Sequence, residues 1–275
     1  MRGRSKLPAV STGTRCSSRA RRPKKHATAL VASADPEAAV SLLAEVRGAC
    51  GDRLTGFEII SRVCLDLVLA HIADSRDPLS RPYPWYVLVE LSDTLAASPL
   101  EEMLEQALAE AISSGLAQDA VVATSSAQAK ALWALRENIS EAQRIDGVSI
   151  KHDISVPVSR IPEFISAADA ALIHAFPGIR IVAFGHIGDG NIHYNCALPK
   201  TAENGVSIGS PAEVNRIVYD LVASLDGSIS AEHGLGQLKR LEIARYKSPL
   251  ELDLMRSVKR ALDPHNLMNP GKVLP

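Results

Sequence analysis

Apolar positions along the chain fall into two alternating spacings. Short runs rich in β-branched and aromatic residues, HATALVAS (26–33), RLTGFEIIS (53–61), WYVLVELS (85–92) and DAVVATS (119–125), predict strands. Between and after them, apolar residues recur every three or four positions in DPEAAVSLLAEVRGACG (35–51), CLDLVLAHIAD (64–74) and SPLEEMLEQALAEAISSGL (98–116), which predicts helices. Asp35 followed by Pro36 is a helix start, because the carboxylate caps orphan amides and proline suits the first turn. The Pro-rich DPLSRPYPWY (77–86) reads as a loop, SAQAKALWALRENISEAQRI (126–145) as one long helix and SIKHDISVPV (149–158) as a strand. RIPEFISAADAALIHAF (160–176) is a helix, as is SPAEVNRIVYDLVASL (210–225), which starts at Ser210 and Pro211, and residues 228–264 are mostly helical.

Between these helices stand IRIVAFGHIGDG (179–190) and NIHYNCAL (191–198), two strands that meet at Asp189-Gly190. Asp-Gly suits a two-residue hairpin turn because both central residues take positive φ. That turn would pair Gly188 with Asn191, Ile187 with Ile192 and His186 with His193, and Asn195 would lie on the histidine face. A tight hairpin among alternating strands and helices favours an α+β fold, an antiparallel sheet with flanking helices, over a doubly wound parallel sheet.

Facing histidines about 5 Å apart can share one metal ion, and Glu232 in SAEHGLG (230–236) offers a third ligand. From pattern alone, such a pair is more often solvated or satisfied in a core than metallated. Neighbouring Glu232 and His233 in extended chain point to opposite sides, so one could ligate metal while the other, a neutral imidazole, serves as a general base; a simple glycine-permitted turn explains the stretch equally. Arg136 and Ser140 are four apart on the long helix and share its face, and Lys151 opens the next strand. Arg and Lys could grip carboxylates, although exposed cations are usually solubilising.

Composition narrows the functional classes. Residues 1–27 carry nine of the 30 Lys and Arg and none of the 31 Asp and Glu, which leaves 21 bases against 31 acids in the body. An acidic body argues against a nucleic-acid partner, and the lack of an apolar run near 20 residues argues against a membrane span. Cys16, Cys50, Cys64 and Cys196 show no C-x-x-C spacing and read as free thiols in a reducing compartment, hence a cytoplasmic protein. The basic leader, 1–27, reads as disordered sequence; its Arg- and Ser-rich, acid-free composition is also that of a transit peptide, which would make the protein mitochondrial. Neither G-x-G-x-x-G nor G-x-x-x-x-G-K-[ST] occurs, so no phosphate-cradling loop is expected.

GHIGDGNIHYN (185–195), SAEHGLGQLKR (230–240) and the terminal DPHNLMNPGKVLP (263–275), in this order, resemble the C-terminal domain of FAD-linked D-2-hydroxy acid dehydrogenases, within the vanillyl-alcohol-oxidase group of flavoproteins. The resemblance covers residues 28–275, and LWALRENISEA with SIKHDISVPVSRIPEFI points to the D-2-hydroxyglutarate branch. It implies a divalent metal, zinc, on His186, His193 and Glu232, with His233 as base. It further implies that Arg136, Ser140, Lys151 and Asn195 bind a small 2-hydroxy acid, Ser140 replacing a common threonine, and that Asn269 and Lys272 contact the cofactor. Family members carry a preceding flavin domain that this chain lacks, so FAD would be bound mainly by a domain or subunit supplied elsewhere. The electron acceptor is left open, and assembly as a homodimer is compatible with the resemblance.

Overall fold

Helices cover both faces of one antiparallel sheet. The computed structural model describes residues 23–198 and 210–274. In chain order they form β1 (Lys25–Ser33), α1 (Pro36–Cys50), β2 (Leu54–Ser61), α2 (Arg62–His71), β3 (Trp85–Asp93), α3 (Leu100–Ser113), β4 (Asp119–Val122), α4 (Ser126–Glu137) and α5 (Ile139–Asp146). There follow β5 (Asp153–Ser155), α6 (Ile161–Ala175), β6 (Arg180–His186), β7 (Asn191–Ala197), α7 (Pro211–Ser224), α8 (Arg240–Tyr246) and α9 (Pro249–Leu262). The sheet order is β4-β1-β3-β2-β6-β7-β5, with every pairing antiparallel.

Strand side chains alternate between two cores. Ala29, Val31, Ile59, Val87 and Val89 pack with Leu42 and Val46 of α1, Leu104 of α3, Phe164 of α6 and Val218 of α7. Leu30, Ile60, Tyr86, Leu88 and Phe184 face the other way, onto Leu65 and Val68 of α2, Leu132 and Leu135 of α4 and Ile139 of α5. The central strands are therefore apolar at consecutive positions, as in YVLVEL, although the sheet is antiparallel. Each fully buried Leu, Ile or Phe contributes about 1.5–3 kcal/mol by leaving water.

Local start signals act as expected. The Asp35 side chain accepts from the Ala38 amide at 2.7 Å ahead of Pro36. Ser210 begins α7 with a capping box closed by Glu213. Other expectations change. The helix read over 126–145 is broken at Asn138 (φ −81°, ψ −2°), so Arg136 lies in the last turn of α4 while Ser140 lies in the first turn of α5. The strand read over 149–158 shrinks to β5 with an isolated bridge between Ile150 and Cys196, leaving Lys151 outside it. Strand β1 begins inside the stretch read as leader; residues 1–22 of that leader lie outside the described residues.

The hairpin register differs from the two-residue turn. Phe184, not His186, stands opposite His193, and residues 187–190 form a four-residue connection. Beyond Phe184, β6 remains paired with β2 (Glu58 with His186) and β7 with β5 (Asp153 with His193), so the two strands separate toward the tip. Because side chains alternate with a period of two, a slip of two residues keeps His186, His193 and Asn195 on one face. The tip is held by Gly190: at φ +86° a Cβ there would lie 2.1 Å from the Val156 carbonyl oxygen.

Candidate functional site

On the histidine face of β6 and β7, under α4 and α5, lies a cavity of about 380 Å³. His186, His193, Asn195, Glu232, His233, Arg136, Ser140 and Lys151 all line it, so the separate candidates from the sequence meet in one place.

Its metal-ligand set is compact. His186, His193 and Glu232 each offer a ligand atom, and these atoms lie within 4.8 Å of one another. The two imidazole centroids are 6.2 Å apart, and His186 Nε2 is 3.4 Å from Glu232 Oε1. Glu58, only 3% exposed, hydrogen-bonds His186 Nδ1 from β2, which directs Nε2 into the cluster. Metal-bound histidines ordinarily donate the far nitrogen's N–H to a carboxylate, a backbone carbonyl or a water, which fixes the tautomer and ring orientation. Two imidazoles and a carboxylate with room for a further ligand are the donors of a catalytic zinc site, so these residues fit a divalent metal.

The two histidines are tuned in opposite directions. The Glu58 hydrogen bond raises His186 above the ordinary imidazole pKa, against the effect of burial. Burial, helped by the nearby Arg136 charge, lowers His193 and keeps it neutral, the form that binds metal. Burial works against ionisation of Glu58, but the His186 hydrogen bond and Arg136 together hold its carboxyl below the usual range.

The cationic candidates are placed unequally. Arg136 donates Nε–H to Glu58 Oε2 at 2.8 Å, and its guanidinium lies over the Phe184 ring, 4.7 Å from the centroid. Lys151 and Ser140 are exposed at the rim. Asn195 is buried with both polar atoms engaged: Oδ1 accepts from the His152 amide at 3.1 Å, and Nδ2 donates to Gln143 Oε1 at 3.0 Å.

Glu232 and His233 do not diverge as extended neighbours would. They lie in an irregular bend and face the same cavity, with His233 stacked on His193 at a centroid distance of 5.7 Å. Asp153 Oδ2 accepts both of their backbone amides, at 2.9 and 2.8 Å. Sequence reasoning missed Asp153 and Glu58. The available signal was a lone carboxylate inside an apolar strand, in FEIIS and in HDISV, where an unpaired charge would be costly. Asn269 and Lys272 line a separate cavity of about 1,090 Å³, bounded by α9 and the terminal segment, and His233 lines both.

Residues 22–273 match the family described as FAD linked oxidases, C-terminal domain. The chain belongs to this family. D-2-hydroxyglutarate dehydrogenase of Stutzerimonas stutzeri is 40% identical over 223 residues, covering 80% of this chain and 47% of that protein. Mitochondrial D-2-hydroxyglutarate dehydrogenase of Arabidopsis thaliana is 35% identical over 247 residues, covering 90% and 43%. This FAD-linked oxidase C-terminal domain thus spans less than half the length of these curated relatives. The solved structure of p-cresol methylhydroxylase with substrate bound aligns with a TM-score of 0.60 at 14% identity, over 92% of this chain and 53% of that one, a likeness of fold alone.

The relatives overturn the cytoplasmic expectation. Six plant and animal D-2-hydroxyglutarate dehydrogenases similar to this domain carry mitochondrial in their names, and buried free thiols, which no pairing geometry constrains, do not separate one reducing compartment from another. Among the described residues no helix is long and apolar enough to cross a membrane.

Proposed function

We propose that this domain is the metal- and substrate-binding part of a flavin-dependent D-2-hydroxy acid dehydrogenase, with D-2-hydroxyglutarate as the substrate type. The observation that carries the reading is the convergence of His186, His193 and Glu232 on one ligand point in a cavity also lined by Arg136, Ser140 and Lys151. His186, His193 and Glu232 hold the divalent metal, zinc by the nature of the donors; when bound it supplies Lewis-acid polarisation of an oxygen ligand. Arg136, Ser140 and Lys151 receive carboxylates, Asn195 braces that wall, and His233, beside the ligand set, accepts the hydroxyl proton. Two cations at one cavity suit a dicarboxylic acid better than lactate.

FAD fits this chain only in part. Asn269 and Lys272 offer contacts from the larger cavity, but the sequence has no glycine-rich phosphate loop, so no step is assigned through the flavin. In this reading the chain binds acid without turning it over by itself, and FAD is held mainly in the length of the relatives that it does not span. The names of the plant and animal relatives support a mitochondrial location.

A second reading is a metal-binding module without catalysis. It is favoured by the same set, because all three ligands lie within this chain while the relatives are more than twice as long as their matched part. Metal analysis after dialysis tests what the readings share: about one zinc per chain is expected, lost in His193→Ala and Glu232→Ala, and unchanged content in both variants would exclude the ligand set. Adding a flavin-bearing partner from a relative separates them, since only the first reading expects D-2-hydroxyglutarate oxidation to appear.

A further inference from the structure

We propose that Asp153 is a positioning residue that registers the Glu232–His233 bend against the histidine hairpin. The inference rests on the metal reading above only for its consequence, not for the pin itself. Asp153 is 3% exposed and pairs with His193 across β5 and β7, which ties its backbone to one ligand. Its Oδ2 accepts the consecutive amides of Glu232 and His233, and its main-chain carbonyl accepts the Ala231 amide at 3.2 Å. One residue therefore receives three successive amides of the bend. Its other oxygen, Oδ1, has no hydrogen-bond partner among the described residues and stands 3.7 Å from His193 Nδ1.

A buried carboxylate is retained where charge-assisted hydrogen bonds satisfy it, and here those bonds come from the one segment that brings Glu232 and His233 to the cavity. That segment has no regular secondary structure of its own between Ser230 and Gly236, so its placement depends on bonds of this kind. Glu58 performs a comparable service for His186 through the ring, whereas Asp153 acts through the backbone of the bend. Asp153 also offers a ligand atom within 4.8 Å of those of His193 and His233, so amide exchange in the metal-free chain reads the pin apart from any ligation; through these amides it sets where Glu232 and His233 stand.

Amide hydrogen exchange of the metal-free chain tests the pin directly. With β1 and β3 amides in the same sample as the reference, exchange at Glu232 and His233 should speed up at least tenfold in Asp153→Ala. Asp153→Asn, which keeps one oxygen to accept both amides, should stay near wild type. If Asp153→Ala unfolds, Asp153→Glu serves instead, because its longer side chain displaces the acceptor and should loosen the same two amides. Cobalt(II) binding then reads the consequence. Outer supports of metal ligands typically change affinity about 10–100-fold, and that loss is expected in Asp153→Ala, with an altered visible spectrum and partial rescue by Asp153→Asn. Wild-type exchange at Glu232 and His233 in both Asp153→Ala and Asp153→Glu would overturn the proposal, as would unchanged cobalt affinity and spectrum in a loosened bend. Failure of the wild-type chain to bind cobalt, with the exchange pattern as expected, would remove the metal reading and leave the pin established.

Discussion

Two cavities meet at His233, and they are built differently. The smaller one is walled by β6, β7, α4 and α5, and its polar groups are held by buried partners: His186 by Glu58, Asn195 by Gln143, the Glu232 bend by Asp153. The larger one is walled by α9 and the terminal segment, with Leu254, Val258, Leu262 and Met268 largely exposed. Chemistry that needs fixed atoms sits on sheet strands with a supporting shell, while the exposed apolar wall places few constraints on its own side chains. Substitutions should therefore have large effects in the first cavity and small ones in the second.

Glu58→Ala should produce the largest effect. It leaves the half-buried Arg136 guanidinium without its carboxylate; breaking a buried pair typically costs about 3–5 kcal/mol, and the loss here, measurable by denaturant unfolding, should fall toward the lower end of that range. A loss below about 1 kcal/mol would mean that Arg136 finds water, and that this wall is as yielding as the other.

Next comes His152, the buried neighbour of Asp153. Its Nδ1–H donates to the Tyr194 carbonyl at 2.7 Å, and burial lowers its pKa to about 4. A histidine held neutral in the fold contributes stability that is fully present above its unfolded value near 6.5 and is lost as pH falls from there toward about 4. The drop should approach about 3 kcal/mol, and His152→Gln should flatten the stability curve across that window.

A smaller change is expected from Lys151→Ala. The residue is exposed, so its attraction for a distal carboxylate is screened to about 1 kcal/mol or less, and D-2-hydroxyglutarate affinity of the metal-loaded chain should fall only a few-fold by calorimetry. D-lactate, which lacks that carboxylate, should be unaffected. Smallest of all is Leu262→Ser on α9, 77% exposed: stability should stay within about 0.5 kcal/mol and metal affinity should not change.

What was legible in the sequence was local or periodic. Asp35 before Pro36 and Ser210 before Pro211 announce helices because capping involves only residues two or three apart. His186 and His193 could be assigned to one face despite the wrong register, because an even slip preserves facing. The break at Asn138 was hidden by apolar spacing that continues through Leu135, Ile139 and Ala142, all of which remain buried on either side of it. Glu58 and Asp153 were passed over for a different reason: each stands as a lone carboxylate in an apolar strand, which hints at burial, but the partners that satisfy them lie 128 and 79 positions away. The bend of Glu232 and His233 draws on both kinds of cause: Gly234 and Gly236 take positive φ locally, while the bonds that hold the two amides come from Asp153, far away in sequence.

Gly190 has a consequence that extends to how this domain would look in a saturation library scored for survival. Any side chain there would drive into the Val156 carbonyl, so nearly every replacement should be depleted, and in a library carried with a flavin-bearing partner the proposed metal role would deplete His193 replacements as well. A screen that counts survivors would rank the two codons together and suggest that both carry chemistry. Sorting the same library for soluble expression would part them: Gly190 variants should vanish from the soluble pool, whereas His193 variants should persist there without metal.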